Sequence, residues 1–117
     1  MTVHVTKSAK TIEDGILNMK DAMIFDYQGF MPETSEVRTR MNKEYAENFE
    51  VKHGKKYIKI LCGYSCTAFV VAVDDDVRFR KGDILKPAGY NAPARNAARG
   101  NILDGGYPIN WTGPLYL

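Results

Sequence analysis

The sequence holds little from which to build a disulfide scaffold, a metal centre or a membrane span. Cysteine occurs twice, at Cys62 and Cys66, histidine twice, at His4 and His53, and tryptophan once, at Trp111. Two thiols are too few for the framework that stabilises small secreted domains, so a reducing cytoplasm is the expected compartment. Each thiol reads as a small buried hydrophobe. Neither histidine sits in an H-E-x-x-H pattern, and Cys62-x-x-x-Cys66 without a second pair gives a poor zinc count. Asp74-Asp75-Asp76 is a turn signal with too few oxygen ligands for calcium. No metal or cofactor is therefore expected. No apolar run approaches the roughly 20 residues of a membrane span, and residues 1–6 lack the basic and apolar regions of a signal peptide.

What is present suits one small soluble domain spanning residues 1–117. Hydrophobic residues are 44% and charged residues 26% of the chain, which excludes a disordered composition. The net charge of +2 is unevenly placed. Residues 1–50 carry six Lys/Arg against nine Asp/Glu, a balance of −3, whereas residues 51–99 carry ten against four, a balance of +6. A basic half joined to an acidic half points to a localised anion site rather than a cationic coat for nucleic acid.

The hydrophobic period predicts an α+β fold: two N-terminal helices over residues 1–48, then an antiparallel sheet with a short C-terminal helix over 49–117. The first helix is expected over 8–23, with Ile12, Ile16, Met19 and Met23 on one face and Ser8 or Thr11 at its cap. Residues 23–27 are apolar and expected to be buried, and Gln28 to Pro32 should break the helix. A second helix is expected from Thr34 or Ser35 to about Asn48, with Val37, Met41 and Tyr45 as its stripe. From Phe49 the period becomes two, predicting short strands at Val51, 57–62, 67–73, 77–80 and 84–86 with turns too short for parallel pairing. A short helix is predicted over 92–99, with Asn91 as cap, Pro93 in the first turn and Gly100 just past the end. The apolar tail 107–117 is read as a final strand or as an element that docks on a neighbouring subunit.

Candidate ligand-binding chemistry concentrates in residues 86–101. On a helix, Arg95 and Arg99 would share a face, a like-charge spacing that costs a few tenths of a kcal/mol unless both guanidiniums meet an anion. On this reading both can be truncated without unfolding the protein. The bland alternative, two solvated arginines on a stub of helix, is about as well supported by composition. Tyr90, Tyr107, Trp111 and Phe69 offer rings on which a base can stack beside phosphates, although each is individually more common as core. Asn91 and Tyr90 join the candidate site by position. No nucleophile stands beside a general base in the sequence; of the paired His-x-Thr/Ser motifs of two-histidine phosphoesterases, only His4-Val5-Thr6 fits. An enzyme is not expected.

Four blocks carry a resemblance: Phe49 to Ile60, Gly82-Asp83-Ile84-Leu85-Lys86-Pro87-Ala88, Ala97-Ala98-Arg99-Gly100-Asn101, and Trp111 to Leu117, with Met23 to Tyr27 besides. The chain resembles small bacteriophage proteins, most of all the first family of Thoeris anti-defence proteins. The resemblance implies a sponge that sequesters a cyclic ADP-ribose isomer without cleaving it, in the cytoplasm of an infected bacterial host. A homo-oligomer, a dimer or higher, is expected here because the apolar tail and the stripe Ile12, Ile16, Met19 and Met23 offer more apolar surface than so small a core needs. The resemblance implies that some relatives assemble beyond a dimer and hold cyclic oligonucleotides at a second site. It carries the arginine pair onto Arg95 and Arg99, and a stacking phenylalanine onto Phe69. The alternatives are an enzyme that cleaves such cyclic nucleotides and a nucleic-acid-binding module.

Overall fold

The computed structural model describes residues 2–63 and 65–115. Tyr64, Tyr116 and Leu117 lie outside the described residues, so only the part of the tail up to Leu115 is placed. The chain runs β1 (Val3–Val5), α1 (Ile12–Phe30), α2 (Glu36–Glu47), β2 (Phe49–His53), β3 (Tyr57–Cys62), β4 (Ser65–Val71), β5 (Ile84–Leu85), β6 (Pro87–Gly89), β7 (Ala92–Pro93), β8 (Tyr107–Asn110) and β9 (Gly113–Pro114). The order of two N-terminal helices followed by antiparallel strands is as the sequence predicts, with bounds that differ.

Both helices start on the expected side chains. Thr11 Oγ1 accepts the Asp14 N–H at 3.1 Å, and Ser35 Oγ accepts the Arg38 N–H at 3.2 Å, each satisfying a donor the first turn leaves unpaired. α1 continues seven residues past the expected end at Met23, because nothing before Pro32 interrupts its hydrogen bonding. Met23, Asp26 and Tyr27 are buried as expected for 23–27, but the helical extension carries Phe25 outward, 66% exposed, and buries the charged Asp26 in its place. α2 is supported at one edge only: Asn42 is its buried residue, and its amide donates to Met31 O at 2.7 Å. Val37 faces solvent rather than a core.

The central sheet has the order β2-β3-β4-β5, and a second sheet, β1-β8-β9, pairs Val3 with Ile109. Ile12, Ile16, Met19 and Met23 of α1 close over both sheets, meeting Ile58, Ile60, Val70 and Ile84 on one side and Ile109 on the other. The helical and sheet halves thus share a core. Close approach is possible because position 15 is glycine: a Cβ there would lie 2.6 Å from Ile102 O. The opposite face of the central sheet buries Phe69, Val71, Phe79 and Leu85 under the chain that follows β5. Tyr27 and Tyr45 stack at 4.2 Å, with Trp111 edge-on to both, joining the helices to the β8–β9 turn. Among the described residues, no helix is long and apolar enough to cross a membrane.

Two expected elements are absent. Residues 77–80 form no strand: the Asp76 carboxylate accepts the N–H groups of Arg78 (2.8 Å) and Phe79 (3.0 Å), folding the segment into a turn that leaves Val77 in solvent. Residues 92–99 form no helix. Ala94 N donates to Lys86 O at 2.7 Å, Arg99 N to Ile84 O at 2.8 Å, and Ile84 N to Gly100 O at 2.8 Å. The segment is extended because the edge of β5 offers its backbone groups as partners, and pairing there outweighs a weak alanine-rich helix preference.

Candidate functional site

The site is built on one row of the central sheet. Register places Lys52 of β2 opposite Lys59 of β3, Lys59 opposite Phe69 of β4, and Phe69 opposite Leu85 of β5. Like charges directly across two strands are destabilising, so the Lys52–Lys59 pair costs the fold unless something negative lies over it. Lys55 and Lys56 in the β2–β3 turn add two more ammonium groups to the same groove, which encloses about 300 Å³.

The β6–β7 hairpin arches over this row. It brings Tyr90 and Asn91 onto Lys59, whose ammonium lies 4.1 Å from the Tyr90 ring centroid and donates to Asn91 Oδ1 at 3.1 Å. The same ammonium stands 5.8 Å from the Phe69 ring. Tyr57 meets Phe69 edge-on at 5.9 Å. Three of the five residues singled out from sequence, Phe69, Tyr90 and Asn91, therefore converge on one lysine. Tyr90 is 48% exposed and free to accept a ring. Phe69 is only 3% exposed, so it serves as the floor rather than as an open stacking face.

The two arginines are not a shared clamp. Arg95 donates through Nη2 to both oxygens of Asp76, at 2.9 and 3.0 Å, and through Nη1 to the Tyr57 hydroxyl, with its guanidinium 4.9 Å from the Phe79 ring. Asp76 also pairs with Lys56 at 3.4 Å. Hydrogen bonding from Arg95, then the Arg78 backbone N–H, holds the Asp76 carboxyl far below the usual carboxylate range. Arg95 is thus tied to the 76–79 turn, so its truncation is expected to disturb that turn, which a solvated helical pair would not. Arg99 has a different surrounding. Its Nη2 reaches Asn96 Oδ1 at 3.4 Å, while Nε and Nη1 are shielded from solvent without a hydrogen-bond partner. Its charge acts on Lys86, whose ammonium is lowered from its ordinary pKa chiefly by burial and then by Arg99.

Sequence reading missed Lys52, Lys59, Tyr57 and Asp76. The lysines carry no local signal, and register was needed to bring them together. Asp76 read as an ordinary turn residue; its following Arg78 and Phe79, which it caps, were the available signal. Among the described residues, no group of three or more His, Cys, Asp and Glu gathers as a metal would require. Searches of curated proteins and of solved structures found no match. Residues 3–116 match the model of a family of unknown function (DUF7717), and the chain belongs to that family.

Proposed function

We propose that the protein captures an anionic nucleotide of the cyclic ADP-ribose type and holds it without cleaving it. In this reading it acts in the cytoplasm of an infected bacterium as an anti-defence sponge against Thoeris signalling. The observation that carries the proposal is the Lys52–Lys59 pair opposed in register beneath Tyr90 and Asn91. A diphosphate neutralises the opposed ammonium groups, and a base lies against the exposed Tyr90 ring; both contacts are favourable and neither needs a general base. The resemblance of the sequence to Thoeris anti-defence proteins selects the cyclic ADP-ribose class among nucleotides. Arg99 does not line this groove and its two unpaired donors are shielded from solvent, so the lysines rather than the arginine pair make the phosphate contacts in this reading. Leu17 and Phe25, both more than half exposed on α1, support self-association into a dimer or higher oligomer. Cyclic oligonucleotides are a second ligand class for the same assays.

Calorimetric titration with cyclic ADP-ribose tests the reading, followed by heat denaturation and recovery of the ligand. Binding with intact ligand is expected. Lys52→Ala and Lys59→Ala should each weaken it about tenfold, the worth of one charge-assisted hydrogen bond. Undiminished binding in the double variant overturns the site, and a cleaved product means an enzyme. A steep loss of duplex-DNA affinity with salt, without cyclic nucleotide binding, means a nucleic-acid module.

A further inference from the structure

A second cavity lies at the other end of the sheet and shares no lining residue with the lysine groove. It encloses about 470 Å³ between α1, α2, the β3–β4 turn and the β8–β9 turn, within the size range of sites for small organic ligands. One wall is aromatic. Tyr27 and Tyr45 stack in parallel within 5°, and Trp111 stands edge-on at 5.3 Å from Tyr27 and 6.3 Å from Tyr45. The lining also carries the Cys62 thiol, 3.9 Å from the Tyr45 hydroxyl, with Ser65 and Thr67. The Cys66 side chain packs with Phe69 and Leu85 on the other face of the sheet.

The charge of this cavity is opposite in sign to that of the groove. Among its described lining residues the one side chain charged at neutral pH is Glu44, and no lysine, arginine or histidine faces in. Glu44 is held only loosely by Arg40, at 3.8 Å with both side chains more than half exposed. Behind the aromatic wall, buried Asp26 accepts the backbone N–H of Trp111 at 2.8 Å. Burial, with the neighbouring Cys62 and Asp26, pushes the Tyr45 phenol well above its ordinary pKa, so it remains a neutral donor, bonded to Trp111 O at 2.7 Å. Ring faces with a carboxylate at the rim attract a cation and repel an anion.

We propose that this cavity is a binding site for an organic cation with a flat apolar body, an ammonium or amidinium whose charge meets Glu44 while its ring packs on Tyr45 and Trp111. It is independent of anion capture at the lysine groove.

Three probes of nearly equal shape isolate the charge: benzamidine, benzamide and benzoate. Trp111 is the sole tryptophan of the chain, so its emission reports occupancy directly. Alkylation of Cys62 by N-ethylmaleimide gives a second readout, since an occupant beside Tyr45 covers that thiol. Benzamidine should quench Trp111 saturably, slow alkylation, and bind roughly tenfold more tightly than benzamide, with benzoate inert. Glu44→Gln, an exposed change that keeps the fold, should reduce the advantage over benzamide to about threefold or less. Ser65→Tyr, which fills the cavity, should abolish both signals. The proposal fails if benzamide or benzoate binds as well as benzamidine, if Glu44→Gln leaves the preference intact, or if millimolar benzamidine changes neither Trp111 emission nor thiol reactivity.

Discussion

Asn101 is the residue whose loss the structure prices most fully. It is 6% exposed and uses its whole amide. Nδ2 donates to Lys81 O at 3.0 Å and to Asp83 Oδ1 at 2.9 Å, and Oδ1 accepts Leu103 N at 2.9 Å and Asp104 N at 3.3 Å. It thereby ties the turn before β5 to the turn after the extended 92–100 segment. A typical hydrogen bond contributes about 1 kcal/mol net, and one to a charged group somewhat more. Lys81 is exposed, so its carbonyl recovers water when the amide is removed, and the 3.3 Å bond is weak. Asn101→Ala should therefore cost about 2–3 kcal/mol, and at about 4 °C per kcal/mol for a domain of this size the melting temperature should fall about 10 °C. Asn101→Asp should be worse at neutral pH, because it replaces a donor with a second carboxylate against Asp83. Urea denaturation of the three proteins checks both. A loss below about 0.5 kcal/mol for Asn101→Ala, the range of an ordinary surface change, or an Asp variant as stable as wild type, refutes the bookkeeping.

Three further outcomes follow from geometry. Asp76 is depressed in the folded state, so its contribution is present above its unfolded pKa of about 3.9 and is lost as pH falls toward the folded value. Asp76→Asn should flatten the fall in melting temperature below about pH 4, and an unchanged acid limb would count against the Arg95 pair as its cause. Gly15→Ala gains about 1 kcal/mol of helix propensity but drives a methyl against Ile102 O at 2.6 Å, for a net loss of about 1–2 kcal/mol in chemical denaturation; a stabilised variant would show that α1 shifts freely. Burial pushes the Cys62 and Cys66 thiols upward, so both should alkylate more slowly at neutral pH than a free cysteine, with faster labelling indicating a thiolate the structure does not favour.

Local chemistry was legible where it acts locally. Thr11 and Ser35 announce helix starts because a cap needs only its own next three residues. The strand at 57–62 follows from alternation, and the apolar run read as 67–73 forms a strand that starts and ends two residues earlier, at 65–71. The two misreadings have different causes, a long-range partner in one segment and a side-chain cap on the backbone in the other. Residues 92–99 have caps and alanines suited to a helix, yet the free edge of β5 takes their backbone. Residues 77–80 alternate like a strand, yet Asp76 occupies the N–H groups a ladder would use. At the site, Tyr90 and Asn91 stood out by composition, whereas Lys59 became visible only once register set it between Lys52 and Phe69.

The pairing of β1 with β8 makes the chain a nearly closed ring, since Val3 lies against Ile109. Closing a flexible loop of that length costs on the order of 4 kcal/mol of chain entropy, about twice the cost of a 10-residue loop. The β2–β3–β4 meander, joined by turns of a few residues, can form with little such cost, and so precedes it in folding. The first strand then waits on a partner more than 100 positions away, leaving α1 without half of its seat until the last strands arrive.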